Sequence, residues 1–292
     1  PARNRLLASM TDEVARLVLL DNYRQNHALS LMELMSVRRL GSKQHFIRTL
    51  EEQGLLDRQI EFLPSDAELA ARKARGQGLT RPELAVLLSY AKLVAFKQLL
   101  DSDIPEDPYL SKELQRYFPQ PLQKKFAPLM EKHRLKREII ATAVTNQTIN
   151  RMGATFLLRM QEDTGRSPAE VAKAYTISRE TLDARMLWAQ IDALDGKLPE
   201  AAQIDALQVI WSLQRSFVRW LLNRPGPMPS ITEAVDRYRE PFNAIRGASG
   251  VLPDSQRPAH EAALREWRDK GMPPKLALQL ADLPYLESAF DI

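Results

Sequence analysis

The amino-acid sequence predicts an all-α protein with a long central helix and a long antiparallel helical hairpin. Capping boxes recur along the chain, in which a serine or threonine and a glutamate three residues later each satisfy a free backbone N–H group. They are Ser65–Glu68, Thr80–Glu83, Ser167–Glu170 and Ser230–Glu233. Stop signals are glycines that follow helical stretches, at Gly54, Gly76, Gly165, Gly196 and Gly247. No stretch alternates β-branched and aromatic residues as a strand would.

Apolar periodicity between these signals predicts the helices in order. Their expected ranges are 3–20, 27–39, 42–53, 66–75, 81–101, 109–117, 120–131, 134–164, 168–195, 200–223, 230–246, 257–270 and 273–281. Three stretches are expected to be irregular. A non-periodic segment ends at Pro64, the prolines from Pro225 to Pro229 form a stiff elbow, and residues 247–258 are rich in glycine, serine and proline.

The first helix carries a clean apolar stripe, and its end is the open question. The stripe comprises Leu6, Leu7, Met10, Val14, Leu17 and Val18. A longer helix would carry Asp21 into the centre of this stripe. Either the helix ends at Asp21 and Asn22, which both favour helix ends, or a buried carboxylate meets a positive or hydrogen-bonding group. Because unpaired buried carboxylates are avoided, we predict that the helix ends there.

The stretch from His133 to Gly165 is predicted to be one uninterrupted central helix, and it has amides in its apolar stripe. Asn146, Gln147 and Asn150 fall on the face of the apolar residues Ile139, Ile140, Ala143, Ala154, Leu157 and Leu158. Each amide left unpaired would cost about 1–3 kcal/mol. The three amides therefore predict either a binding site or a polar network that selects one packing of this helix. The lack of a catalytic or nucleotide-binding motif around them favours the network.

The next two helices are predicted to form the hairpin. Residues 168–195 and 200–223 are joined by a link short enough to force an antiparallel pair, with arms of roughly 35 Å. Ile210, Phe217 and Leu222 widen the apolar stripe of the second arm beyond what one partner covers. We expect a second contact for this surface, within the domain or between subunits.

Composition excludes several functional classes. The 292 residues include no cysteine, which excludes disulfides, thiolate metal sites and cysteine nucleophiles and suits a reducing cytoplasm. The net charge of +4 is spread along the chain and does not by itself indicate nucleic acid. No apolar run approaches the ~20 residues of a membrane span, and no leader peptide is recognisable. The chain starts at Pro1 without a methionine, so we expect a cytoplasmic segment of something longer.

Motifs for metal or nucleotide binding are weak. The histidines have no second ligand at helical spacing, and the acidic residues at 101–107 lack the glycine and glutamate of a calcium loop, so no metal is predicted. The motif Gly76-Gln-Gly78 lacks the third glycine and the preceding strand of a dinucleotide site. A plain interhelical turn explains it.

A basic group on the predicted helices at 120–131 and 134–164 is the best candidate for contact with nucleic acid. It comprises Lys124, Lys125, Lys132, Arg134, Lys136 and Arg137. Only Phe126 lies close enough to supply the aromatic stacking that RNA surfaces use. A solvated helix face is the better interpretation, and nucleic-acid binding remains a remote alternative.

Several long motifs occur in the order of one known family. They are RNRLLASMTDEVARLVLLDNYRQNHALSL, LDRQIEFLPSDAEL, GLTRPELAVLLSYAKL and HRLKREIIATAVTNQTINRMG, with LPYLESAFDI near the end. Together they resemble the C-terminal region of the large bacterial NAD-specific glutamate dehydrogenases. The likeness is dense from Arg3 to about Tyr175 and thinner beyond.

The resemblance implies a parent enzyme that oxidises L-glutamate to 2-oxoglutarate and ammonia with NAD as the hydride acceptor. In that family the catalytic lysine and aspartate, the glycine-rich NAD loop and the glutamate-binding serine precede this segment. No position of this chain matches those motifs, so no catalytic or NAD-binding residue is assigned to it. The expected role is structural, oligomeric or regulatory, with the catalytic domains of the same polypeptide as partners and a homo-oligomer as the assembly.

The resemblance also implies a division of the chain. Residues 1–63 are expected to pack back on the preceding catalytic core, and residues 64–292 to form a C-terminal helical domain. The candidates for a position near the cleft or between domains are Thr11, Asp12, Asp21, Asn22 and Tyr23. A helical interaction module without an enzymatic role remains an alternative.

Overall fold

The computed structural model describes residues 2–246 and 252–290, and all regular structure in these ranges is helical, which confirms the all-α prediction. The α-helices are α1 (Ala2–Leu34), α2 (Leu40–Glu52), α3 (Asp66–Ala74), α4 (Arg81–Leu100), α5 (Ser111–Tyr117), α6 (Gln120–Met130), α7 (Lys136–Met152), α8 (Phe156–Thr164), α9 (Pro168–Thr181), α10 (Ala184–Asp192), α11 (Glu200–Leu222), α12 (Ile231–Arg246), α13 (Arg257–Asp269) and α14 (Pro274–Asp282). Short 3-10 helices cover Ile104–Glu106 and Leu283–Ala289.

The chain divides into two compact units, Pro1–Ala169 and Glu170–Ile292. This division differs from the predicted boundary after residue 63. The predicted boundary rests on expected contacts of residues 1–63 with a catalytic core that is not part of this chain. It therefore stays a prediction. Within the first unit α7 is central, because it packs against α1, α4, α5 and the 3-10 helix Ile104–Glu106.

The predicted end of the first helix at Asp21 and Asn22 is wrong, because α1 continues unbroken to Leu34. The Asp21 carboxylate, which is half-buried, accepts a hydrogen bond from Gln25 Nε2 at 2.9 Å, one turn further on. Lys92 of α4 adds a positive charge near it. These two groups remove the penalty on which the predicted end depended.

The predicted continuous helix 134–164 is also wrong, because Gly153 divides it into α7 and α8. Its φ of +86° is rarely adopted by residues with a side chain, and its N–H still donates to Ile149 O at 2.9 Å. A Cβ atom at this position would lie 3.4 Å from Met32 Cγ of α1. The positive φ of Gly153, and not contact with α1, therefore explains why a glycine stands at the break.

Three of the predicted capping boxes show their expected backbone contacts. Ser65 and Ser230 exchange hydrogen bonds with the glutamates three residues on, and Thr80 N donates to Glu83 at 2.7 Å. Of the predicted stop glycines, Gly247 lies outside the described residues, and the other four have positive φ.

The first arm of the predicted hairpin is interrupted, so the long hairpin is wrong. The chain turns between α9 and α10 at Asp183, whose φ is +47°. The break leaves backbone carbonyls without helical donors, and two arginines of α12 donate hydrogen bonds to them. Arg239 donates to Glu180 O, and Arg246 donates to Leu182 O. Of the predicted first arm, the part that forms α10 packs against α11.

The second contact expected for the helix 200–223 occurs within the second unit. Phe217 of α11 is fully buried and packs edge-on against Phe242 and Phe290, with ring centroids 5.3 and 5.4 Å away. Trp220 and Tyr238 complete this aromatic cluster. The surplus apolar surface of α11 is thus covered by α12 and the end of the chain.

Candidate functional site

One of the three amides in the central helix reaches a buried carboxylate. Gln147 Nε2 donates to Glu113 Oε2 of α5 at 2.7 Å, and Arg116 Nη1 donates to Glu113 Oε1 at 2.8 Å. The side chain of Glu113 is only 2% exposed, so these donors supply hydrogen bonds that water cannot. The contact ties α7 to α5.

The other two amides do not join this contact. Asn146 is half-buried, whereas Asn150 is buried and its Oδ1 has no hydrogen-bond partner among the described residues. Thr145 Oγ1, on the preceding turn, is in the same situation. The predicted network is therefore formed at Gln147 only, and its role in selecting one packing stays a prediction.

The candidates for a cleft position are spread along α1. Thr11, Asp12 and Asn22 are exposed, while Asp21 and Tyr23 are half-buried. The Tyr23 ring lies 4.2 Å, centroid to centroid, from the ring of His27. Because residues 11 and 23 are separated by roughly 18 Å of helix, these side chains do not converge on one ligand.

The apolar stripe of α1 is left uncovered over much of its length. Leu7, Val14 and Val18 of the predicted stripe are exposed, and neighbouring Leu19 is 68% exposed. Exposed apolar side chains gathered on one helix are typical of a protein interface.

The loop between α2 and α3 presents a second apolar surface. Phe62 is 89% exposed and Ile60 is 72% exposed. Phe62 also has a φ of +52°, a conformation that is uncommon for a bulky residue. A strained backbone that holds an aromatic ring in solvent is typical of functional positions.

Ion pairs and hydrogen bonds of Arg58 anchor this loop. The Arg58 guanidinium pairs with Glu51 at 2.8 Å and Asp66 at 2.9 Å, and it donates to Pro64 O at 3.1 Å. Hydrogen bonds from Gln44 and Arg58 lower the pKa of Asp66 to about 2. These contacts tie the loop to the last turn of α2 and the first turn of α3.

The other chemical candidates are not supported by geometry. Among the described residues, no group of three or more histidine and acidic side chains is arranged to hold a metal ion. In the basic group, Lys136 pairs with Glu131 and Arg137 pairs with Glu106. Gly78 lies in the link between α3 and α4 and packs against Ser36, whose Oγ accepts a hydrogen bond from Leu79 N at 2.8 Å. No helix in the described part of the chain has the length and apolarity of a membrane span.

A family model described as "Glutamate dehydrogenase, C-terminal" matches residues 76–292. The chain belongs to this glutamate dehydrogenase family. It is 40% identical to the NAD-specific glutamate dehydrogenase of Halomonas elongata and 38% identical to that of Pseudomonas aeruginosa, each over 99% of this chain. The enzyme of Mycobacterium tuberculosis is 32% identical, again over 99% of this chain. The chain spans only 18% of the length of these relatives.

Two features of this member of the glutamate dehydrogenase family were not predicted from the sequence. The exposure of Ile60 and Phe62 had a signal in the sequence, because two large apolar residues stand in a non-periodic stretch that no helix face can bury. The burial of Lys43 in α2 had none, because a lysine in an amphipathic helix ordinarily counts toward the solvated face.

Proposed function

We propose that this chain is the C-terminal part of an enzyme that converts L-glutamate, NAD and water to 2-oxoglutarate, ammonia and NADH. The catalytic and NAD-binding residues lie in the preceding part of the polypeptide, and no metal is required from this segment. The segment has a structural, oligomerisation or regulatory role, and the full enzyme is a cytoplasmic homo-oligomer. The family match and the relatives named NAD-specific glutamate dehydrogenase support this assignment.

We further propose that residues 1–63 pack against the catalytic core and that residues 64–292 form the C-terminal helical domain. One observation carries this division. Nine of the fifteen large apolar side chains that are exposed among the described residues lie between Leu7 and Phe62. Exposed apolar surface concentrated in one stretch indicates a surface that a partner covers. Thr11, Asp12 and Asn22 then lie at the edge of that contact.

The first experiment measures activity. The purified full-length enzyme is expected to form NADH only when both L-glutamate and NAD are present. If it forms none, the enzymatic proposal fails, and the alternative of a helical interaction module without an enzymatic role takes its place.

The second experiment tests the packing of α1. Substitution of Val18 and Leu19 by serine in the full-length enzyme should accelerate hydrogen exchange of α1 by about tenfold, because buried apolar contacts worth more than 1.4 kcal/mol are lost. The matched control is Leu93→Ser, a residue that is 65% exposed on α4. Equal exchange of α1 in the double variant and the control would refute the packing of residues 1–63 on the core.

A further inference from the structure

Three glutamines of the first unit line one small cavity, which has a volume of about 30 Å³. Gln53 follows the last turn of α2, Gln98 lies in the last turn of α4, and Gln161 lies in α8. The central helix α7 contributes Ile149 to the wall. Ala154, in the break between α7 and α8, lines the cavity as well. Four helices therefore meet around these three amides.

None of the three glutamine side chains makes a hydrogen bond with any residue that the structure describes. Gln98 is the most constrained of them, because its Oε1 atom is buried and accepts no hydrogen bond. The large majority of buried polar atoms in native proteins are paired, either with a protein group or with ordered water. Gln98 Oε1 therefore requires a donor from outside the described residues.

The walls of the cavity are uncharged. Besides the glutamines they consist of Thr49 and apolar side chains, among them Phe46, Leu50 and Val94. Thr49 Oγ1 donates to His45 O at 3.0 Å, so it can only accept from an occupant of the cavity. None of the described residues in the lining is ionisable, and a charged ligand would be desolvated here without a counter-ion. The occupant is thus a neutral molecule that forms hydrogen bonds.

The size of the cavity selects water. A site for one water molecule needs roughly 10–15 Å³, whereas a cavity that binds benzene has about 150 Å³. The volume of about 30 Å³ lies near the lower value. Water can also donate to Gln98 Oε1 and accept from the amide of a second glutamine at the same time. Gln53 is exposed and Gln161 is half-buried, so solvent reaches the outer side of the cavity.

We propose that this cavity is a binding site for ordered water, held by Gln98 on its inner side and by Gln53 and Gln161 on its outer side. The water supplies the hydrogen bond that Gln98 Oε1 lacks among the described residues. It also connects α2, α4 and α8 next to the end of α7. A satisfied polar network of this kind specifies one packing of the helices around it.

A crystal structure of the full-length protein that resolves ordered water tests the site directly. A density peak is expected at roughly 2.7–3.2 Å from the side-chain amide of Gln98. If other buried waters are resolved and this position has no peak, the proposal is overturned.

Substitution of Val94 by isoleucine tests the same site in solution. The added carbon takes the space of the water, and both residues are β-branched, so the helix propensity of α4 changes little. Loss of the water leaves Gln98 Oε1 unpaired, and hydrogen exchange of α2 and α8 in the full-length protein should accelerate by about fivefold or more. Gln98→Met removes the amide and keeps an unbranched side chain. In that background Val94→Ile should change the exchange rate by less than about twofold.

The matched control is Val86→Ile, at a half-buried position of α4 outside the lining of the cavity. It should leave the exchange of α2 and α8 within about twofold of the wild-type rate. Equal or slower exchange in Val94→Ile would show that the added carbon fills dry space. Equal acceleration with and without Gln98→Met would show crowding alone. Either result would overturn the proposal. None of these measurements uses enzymatic activity, so the water site and the proposed function fail separately.

Discussion

Thirteen of the fifteen large apolar side chains that are exposed among the described residues lie in the first unit, whereas only Met186 and Leu278 lie in the second. The second unit covers its own apolar surface, as the aromatic cluster around Phe217 shows. The first unit leaves the α1 stripe and the Phe62 loop uncovered. The difference indicates that the first unit, and not the second, has apolar surface that a partner would cover.

The two units also differ at one buried charge. In the second unit Arg179 pairs with Glu180 at 2.7 Å, and His260 Nε2 lies 2.7 Å from Asp282 Oδ1. Burial raises the pKa of Asp282, while the nearby His260 lowers it. In the first unit Lys43 has no counter-ion among the described residues. The second unit therefore supplies its own buried charge partners, and the first does not supply one for Lys43.

The largest expected effect is the loss of stability of the second unit when its aromatic cluster is disrupted. Phe217→Ala removes the ring at the centre of the aromatic cluster and should destabilise this unit by about 3–5 kcal/mol. Hydrogen exchange of α11 in the full-length enzyme would measure the loss. Leu278→Ala, at an exposed position of α14, is the control and should change little. A small effect of Phe217→Ala would mean that the second unit depends on an external partner as well.

The next prediction concerns the exposed apolar surface of the first unit. Phe62 is almost fully exposed in this chain, whereas Phe217 of the second unit is fully buried. Phe62→Ala should cost little within the chain itself but about 1–3 kcal/mol in the full enzyme, where the ring is expected to occupy a pocket of the catalytic core. Exchange of residues 55–64 and the rate of glutamate oxidation would report it. Leu93→Ala is the control. Equal results for both variants would show that Phe62 is solvent-exposed in the whole enzyme.

Local signals in the sequence predicted the helical elements well. Ser65, Ser230 and the stop glycines act within one turn of helix, so their effect is visible in the sequence itself. The break at Asp183 was not predictable in this way, because it depends on Arg239 and Arg246, more than fifty residues later in the chain.

The candidate sites were harder to predict for a similar reason. Periodicity placed Gln147 and Asn150 on an apolar face. It could not show that Gln147 donates to Glu113 of a different helix, or that Asn150 Oδ1 has no donor among the described residues. The α1 stripe is exposed in this chain, and its proposed partner, the catalytic core, is not part of this sequence. An apolar stripe predicts burial, but it does not say which partner provides it.

A moderate effect is expected at Asn150. Its buried Oδ1 has no hydrogen-bond partner among the described residues, so Asn150→Leu should change the stability or the assembly of the full enzyme by about 1–3 kcal/mol. Hydride transfer at saturating substrate should change little, because no catalytic residue is assigned to α7. Sedimentation and steady-state kinetics would separate the two effects. Loss of turnover with intact fold and assembly would contradict a purely structural role.

The smallest expected effect is the pH dependence of α2, which distinguishes an incomplete first unit from a completed one. In this chain the pKa of Lys43 is lowered from 10.5 to about 8. Between these pH values the unfolded state binds more protons than the folded state, so stability rises with pH if the lysine remains unpaired. The opening free energy of α2, obtained from hydrogen exchange corrected for the intrinsic rate, should therefore rise more steeply with pH in the full-length wild type than in Lys43→Met. Equal slopes in both would show that the rest of the enzyme supplies a counter-ion for Lys43.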